Sequence, residues 1–449
     1  MDETKFIYHD YKIREDEEKI YFEYDFEIEG LTKFSPKYEI LKKDFRWQHL
    51  KSNVLKNLVF HLGLVESISY YKATCSKEFY ISCGYLNAEQ AKWFQKLFYL
   101  GLGEFRYQNK ITTSEEDFVK FISLGKSLEL EEDIVNIEVQ NGVLIPVGGG
   151  KDSNVTLELL KNEFENIHPF LINGKEVSYQ CIETAGFSRE EIVEVNRILD
   201  KKIIELNQKG YLNGHTPFSA MVAFLSYTVA FMKGTRYIAL SNENSANESN
   251  VAGENINHQY SKSLEFENDF RLYCQKYLRA GNAEYFSFLR PISELQIANL
   301  FARYPQYHKI FKSCNVGSKQ KPWIWCGNCP KCLFVYTILS PFLEKEELIE
   351  IFGKDLFEKE ELKDTFVELC GFGEIKPFEC VGTYSEVRYS VSKSIQKDLE
   401  KGKKLPYLLN EYHENYVLED ISEDRLKEYS PENNLPEKFA RILKDCFAS

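Results

Sequence analysis

The sequence predicts an α/β fold, a parallel sheet with helices on both faces, preceded by an α/β accessory region and followed by a mainly helical extension. Three observations carry this. An apolar run, Val143-Leu-Ile-Pro-Val147, enters three glycines and then Lys151-Asp152-Ser153 at the head of a helical pattern. From there to Leu240 strand-like runs alternate with helical ones, the order of sheets buried on both faces. Beyond Cys332 the chain turns charged with helical spacing.

Taken in order, residues 5–40 hold Tyr/Phe/Ile-rich segments such as Lys19-Ile-Tyr-Phe-Glu-Tyr-Asp-Phe26, whose alternation predicts a small antiparallel sheet. Helices are expected over Leu50–Ser67 and Asn87–Leu100, the second with Asn87 as N-cap and glycines 101 and 103 at its far end. The acidic stretch Ser114–Ile134 reads as a solvated connection, with a boundary near 135. There follow the strand at Val143, a helix to Lys161, a strand at Pro169–Asn173, a helix at Arg189–Asn207, an apolar helix at Phe218–Met232 and a strand at Tyr237–Leu240. Tyr285–Arg290 reads as strand and core, and Glu344–Leu369 as helical until Gly371–Glu386 interrupts it. The expected units are 1–135, an accessory domain; 136–340, the phosphate-binding domain with its cysteines; and 341–449, a C-terminal extension.

Composition bounds the function. With 43% apolar and 28% charged residues the chain is that of a soluble globular protein. A formal charge of −13 argues against nucleic acid as a partner. The start, Met-Asp-Glu-Thr-Lys-Phe, has no basic then apolar leader, and the longest apolar stretch, Phe218–Met232, is 15 residues. That is short of the roughly 20 that cross a bilayer, so the expectation is a cytoplasmic protein with no membrane partner. Eleven cysteines then read as reduced thiols.

The glycine segment has phosphate-binding geometry, because residues without Cβ let the backbone approach an anion at a helix N-terminus. It is no Walker loop, since Asp152 follows Lys151 and no glycine stands five residues before Gly150. It resembles the PP-loop of the ATP pyrophosphatases, Ser-Gly-Gly-x-Asp-Ser, with Gly148, Gly149, Gly150, Lys151, Asp152 and Ser153 on its six positions and Gly148 in place of the first serine. The resemblance implies an adenine nucleotide alpha hydrolase-like sheet and bound ATP. The polar run Ser241–Asn250 should lie at the same sheet edge and face the loop.

Cys326-Gly-Asn-Cys329-Pro-Lys-Cys332, with Cys314 twelve residues earlier, can close a structural Zn2+ site or hold an iron–sulfur cluster. The apolar helix at 218–232, Leu289–Ile297 and these cysteines follow the order of the 7-cyano-7-deazaguanine synthase family, over roughly 143–335. Two further stretches, Ser241-Asn-Glu-Asn-Ser-Ala-Asn247 with Asn257-His-Gln-Tyr-Ser-Lys-Ser263, and Lys376-Pro-Phe-Glu-Cys-Val-Gly382, resemble the UDP-N-acetylmuramoyl-L-alanyl-L-glutamate epimerase (MurL) family across nearly the whole chain. That resemblance implies ATP- and Mg2+-dependent inversion of the terminal L-Glu of a UDP-linked muramoyl dipeptide, an isomerase reaction of peptidoglycan synthesis releasing AMP and pyrophosphate. Two alternatives share the loop: a PP-loop ligase or amidating enzyme of nucleobase or tRNA modification, and a nonenzymatic nucleotide-binding regulator.

Chemistry nominates the remaining residues. Asp152 is a candidate Mg2+ ligand and Lys151 a charge stabiliser for the leaving pyrophosphate. Cys380 is a candidate base if its thiol is acidified, or an ordinary buried cysteine. His258 is a candidate base or a surface hydrogen-bonding group, with Glu379 a further candidate. Asn242, Glu243, Asn244, Asn247, Lys262 and Arg290 are expected on the substrate, with Glu243 and Glu248 also candidate Mg2+ ligands or helix caps.

Overall fold

The computed structural model describes residues 4–42, 45, 51–130, 140–247, 256–281, 283–373 and 375–448. The expected boundary near 135 lies outside them. Strands β1 (Lys5–Glu15), β2 (Lys19–Ile28), β3 (Thr32–Phe34), β4 (Lys37–Leu41), β5 (Glu78–Ile81) and β6 (Lys120–Ser123) come from the N-terminal region. Strands β7 (Gln140–Pro146), β8 (Asn166–Ile172), β9 (Val193–Ile198), β10 (Thr235–Leu240) and β11 (Glu284–Ser287) follow. All eleven share one sheet, ordered β11-β10-β7-β8-β9-β4-β2-β1-β5-β6 with β3 beside β2.

The α/β class is as the sequence predicts, but the sheet is mixed rather than parallel throughout. Strands β11, β10, β7, β8 and β9 run parallel, whereas β9 meets β4 antiparallel, with Ile40 opposite Val195. The N-terminal sheet is thus continuous with the sheet that carries the glycine loop. Two elements differ from expectation. In place of a helix over Arg189–Asn207 there is a 3-10 turn at Arg189–Glu191, strand β9, and a helix only at Lys202–Gln208. Val193 and Val195 are buried with Glu194 between them, and this period of two is what β8 and β4 select from a run that also fits helical spacing. The acidic stretch after Ser114 is no mere connection either, since Ser114 caps a helical turn that leads into β6, the strand beside β5.

Alternation across β7 divides two cores. Leu144 packs with the helices Asn53–Tyr71 and Phe218–Lys233 on one face, while Val143 and Ile145 pack with the helices Lys151–Leu160, Glu294–Ala302 and Pro330–Leu339 on the other. Caps set the helix starts: Ser52 accepts from the Leu55 amide, and Asn87 and Gln90 form a capping box opening Ala88–Gly101. The C-terminal region folds back on the sheet, with Phe439 of the helix Glu437–Ala448 against Phe164, Tyr237 and Phe286. Among the described residues no helix is long and apolar enough to cross a membrane.

The junction between the halves carries a buried charge. Arg197 of β9 donates from Nε and Nη2 to both carboxylate oxygens of Glu66, at 2.7 and 3.0 Å, and Tyr38 of β4 donates to the same group. Removing one partner strands the other's charge in a core. Arg197→Ala should therefore lower the urea unfolding midpoint by the equivalent of about 3 kcal/mol or more, and adding Glu66→Ala should recover part of that loss.

Candidate active site

Strand β7 ends at Pro146 and the glycine loop follows. Gly149 has φ +82°, and a Cβ there would come within 3.0–3.3 Å of Val177 and Ser178, so only glycine fits. Gly150 is the N-cap of Lys151–Leu160 and no side chain caps this end. The free amides of the first turn, with the helix dipole behind them, can receive an anion. Ser153 returns its hydroxyl to the Gly150 carbonyl at 3.1 Å, and the Lys312 amide donates to Gly149 O at 3.0 Å, fixing the loop's curve.

Charges gather beside this loop. Lys151 is buried and its ammonium donates to Asp152 and to Glu294. Lys151 is thus tied to two carboxylates beside the loop. Burial opposes its charge, but the two carboxylates outweigh it and keep it protonated. Burial also opposes ionisation of Asp152, yet Lys151 and Lys331 hold it below the usual carboxylate range. Glu294 is pushed up, by burial first and by Asp152 and Glu243 in addition. Glu243, at the end of β10, is buried, with Oε1 accepting from Ser245 at 2.9 Å and Oε2 without a hydrogen-bond partner among the described residues. As expected, the 241 loop and the glycine loop sit at the same sheet edge; Glu243 lies within electrostatic reach of Glu294 and Lys262.

A thiol centre adjoins this cluster. Lys262 Nζ lies 3.0 Å from Cys380 Sγ, and Lys331 donates to the Cys380 carbonyl. His258 hydrogen-bonds Cys380, and its Nδ1 lies 2.5 Å from Glu104 Oε2. Burial alone would push the Cys380 thiol up, but Lys262, His258 and Lys331 outweigh it and bring it down to about 5. His258 is pushed up to about 9, against burial, by Cys380 and Glu104. Glu379 accepts from Asn315 at 2.7 Å and is raised by burial.

Arg290 corrects an expectation. It is fully buried and spends its guanidinium on the carbonyls of Glu243 and Lys262 and on Ser287 Oγ, so it clamps two loops and is closed to substrate. Asn242 donates to Ser287 Oγ at 3.1 Å, and Asn244 is exposed with its amide on Ile292 O. The Asn247 side chain and Glu248 lie outside the described residues. Sequence reasoning missed Glu294, Lys331 and Glu104, each remote in sequence from its partner; the only sequence signal was that Glu294 follows a helix-capping Ser293.

Cys314, Cys326, Cys329 and Cys332 converge, with sulfur separations of 3.7, 3.7 and 3.5 Å for the pairs 314–329, 326–332 and 329–332. Four thiolates at about 2.3 Å around one tetrahedral ion would lie about 3.8 Å apart, so the cage suits a single ion and is too tight for a cluster of several irons. Amides of Gly317 and Gly327 point at Cys314 and Cys332. Cys329 is the N-cap of Pro330–Leu339, the helix that presents Lys331, and Ser313 adjoins Gly150.

Comparison with known proteins places this arrangement. The family model of the MurL N-terminal domain matches residues 1–288, and that of the MurL C-terminal domain residues 310–419. The chain belongs to the MurL family. Its relatives include the UDP-N-acetyl-alpha-D-muramoyl-L-alanyl-L-glutamate epimerase of Xanthomonas oryzae pv. oryzae (strain MAFF 311018), 33% identical over 337 residues, covering 74% of this chain and 73% of the relative. The protein of the same name from Micromonospora sp. (strain ATCC 39149 / NRRL 15099 / SCC 1413) is 34% identical over 342 residues, covering 75% and 74%. That from Salinispora tropica (strain ATCC BAA-916 / DSM 44818 / JCM 13857 / NBRC 105044 / CNB-440) is 32% identical over 339, covering 72% and 70%. The glycine loop lies within the residues matched by the first model and Cys380 within those matched by the second, and Lys262 and Lys331 act electrostatically on both Asp152 and Cys380.

The acidified thiol makes a direct prediction. Iodoacetamide labelling of Cys380, followed by peptide mass spectrometry, should proceed at pH 6 to 7 and fade as pH falls through about 5, where the thiolate is protonated. Cys75 and Cys181, raised by burial to about 12 and about 11, should stay unlabelled under those conditions.

Proposed function

We propose that this protein is an ATP- and Mg2+-dependent epimerase that inverts the terminal L-Glu of UDP-N-acetylmuramoyl-L-alanyl-L-Glu in peptidoglycan precursor synthesis. The observation that carries the proposal is the meeting of the glycine loop with an acidified thiol in a chain whose relatives bear that epimerase name. A free carboxylate makes its neighbouring Cα–H a poor acid, because the carbanion would sit beside existing negative charge. Adenylation removes that obstacle. The glutamyl α-carboxylate attacks the α-phosphorus of ATP, the bond to the β-phosphate breaks, and pyrophosphate leaves. The resulting acyl-adenylate can spread the carbanion as an enolate, so a base can take the proton; reprotonation on the other face and hydrolysis give the D-epimer and AMP.

The residues divide along these steps. The amides after Gly150 receive the phosphates, and Asp152 with the unpartnered Oε2 of Glu243 would hold Mg2+. That ion supplies charge neutralisation on the phosphates. Lys262 and Lys331 compensate negative charge between the loop and Cys380, the residue placed to move the proton. The four-cysteine cage would hold a structural zinc, since four thiolates leave no open position for water.

ATP should be cleaved to AMP and pyrophosphate in a reaction that depends on the UDP-linked dipeptide, with Asp152→Ala lowering the rate by about 100-fold or more. Chromatographic detection of ADP as the substrate-dependent product would remove the adenylation step. Elemental analysis of protein purified without chelator should find about one zinc per chain, and Cys329→Ser should lower thermal stability rather than selectively abolish turnover. Metal-free protein of full stability would reject the zinc.

A further inference from the structure

Glu104, His258 and Cys380 come from three separate parts of the chain and form one hydrogen-bonded line. Glu104 leaves the short helix Gly103–Gln108, where Gln108 donates to its Oε1 at 2.8 Å, and its Oε2 meets His258 Nδ1 at 2.5 Å. His258 hydrogen-bonds Cys380 in turn. Carboxylate, imidazole and thiol in that order form the arrangement that orients an imidazole and ionises a thiol. Tyr107, on the same helix as Glu104, packs its ring 5.7 Å from Phe378, two residues before Cys380, which brings the two segments together.

We infer, on the epimerase reading above, that Glu104 and His258 are positioning residues that keep Cys380 a thiolate aimed at the α-proton of the activated glutamyl unit. Cys380 is then the catalytic residue on one face of that carbon. In its step the Cα–H bond breaks, the proton forms an S–H bond on Cys380, and the electron pair moves onto the acyl oxygen as an enolate. Nothing is oxidised. A solvent-derived proton arrives on the opposite face, and Cys380 returns its own proton to solvent.

The surroundings explain why a positioning pair is needed. A buried thiolate is costly unless paired. Lys262, His258 and Lys331 face Cys380 with positive charge, and Glu379 faces it with negative charge. His258 in its turn faces Glu104, Cys380 and the ring of His215, 4.4 Å away. His215 is pushed down to about 3, by burial first and then by His258, Lys72 and Lys262, so it stays neutral and adds no positive charge beside His258. Glu104 is therefore the carboxylate that compensates a protonated His258 from the side away from the thiol.

The test is Glu104→Gln, with Glu104→Asp as the variant that restores a carboxylate. Two readouts are followed against pH: iodoacetamide labelling of Cys380, which needs no turnover, and solvent-deuterium incorporation at the glutamyl Cα beside pyrophosphate release. In Glu104→Gln the labelling inflection should rise from about 5 by about one pH unit or more, and deuterium incorporation should fall about 10-fold near pH 4, below both inflections, and recover as pH rises. Pyrophosphate release should fall far less, and Glu104→Asp should move both inflections back toward wild type. A folded Glu104→Gln protein whose labelling and exchange profiles match wild type overturns the inference, as does an acyl adduct on Cys380 by intact mass, which would make the thiolate a nucleophile. If Glu104→Gln does not fold, wild-type profiles in both readouts for Glu104→Asp with an altered His258→Gln would still assign the carboxylate a role, and an unaltered His258→Gln overturns it. Wild-type protein that releases no pyrophosphate with the dipeptide defeats the epimerase reading itself, a result distinct from any of these.

Discussion

Antiparallel pairing of β4 with β9 is the join on which the geometry rests. A sheet transmits position because each backbone hydrogen bond fixes the next strand about 4.8 Å away, so strands on either side of the pair become parts of one rigid layer. Through it the helix at Gly103–Gln108 acquires a fixed place relative to the glycine loop. The Arg197–Glu66–Tyr38 cluster sits at this junction and ties β9, the helix Asn53–Tyr71 and β4 together. Because β9 also pairs with β8, which in turn pairs with β7, the strand that leads into the glycine loop, a shift at the join would displace both halves of the site.

Burial of charge is the second constraint. Lys151, Glu294, Glu243, Lys331 and Arg290 are all buried polar groups at one edge of the sheet. In a low-dielectric setting each must find an opposite charge or a carbonyl. Lys151 finds Glu294 and Asp152, and Arg290 finds the carbonyls of Glu243 and Lys262. Such networks hold loops in one arrangement. They also perturb acidity in opposite directions at neighbouring groups: the Cys380 thiol falls while the Glu294 carboxyl rises.

The fold was legible where local pattern and tertiary demand agreed. The alternation of Ile20, Phe22, Tyr24, Phe26 and Ile28 is the buried face of β2, and the Asn87 cap and the apolar helix from Phe218 stand where sequence puts them. It failed at Arg189–Asn207, where a run compatible with both periods became β9 because strands on both sides needed a partner. Arg290 misled for a related reason. An arginine after an apolar run suggests a ligand contact, yet its guanidinium was required by orphan carbonyls of two loops that sequence cannot show to be adjacent.

By itself the sequence determined the α/β class, the glycine turn, the spacing of four cysteines and the types of residue able to do chemistry, because each depends on contacts within a few residues. Only the tertiary structure decided which of them meet. Glu104 and Cys380 are separated by most of the chain, and their link through His258 arises from sheet continuity and helix packing. A thiol's acidity is set by the charges around it, and Lys262 and Lys331 reach Cys380 only after folding, so no local pattern could have announced it.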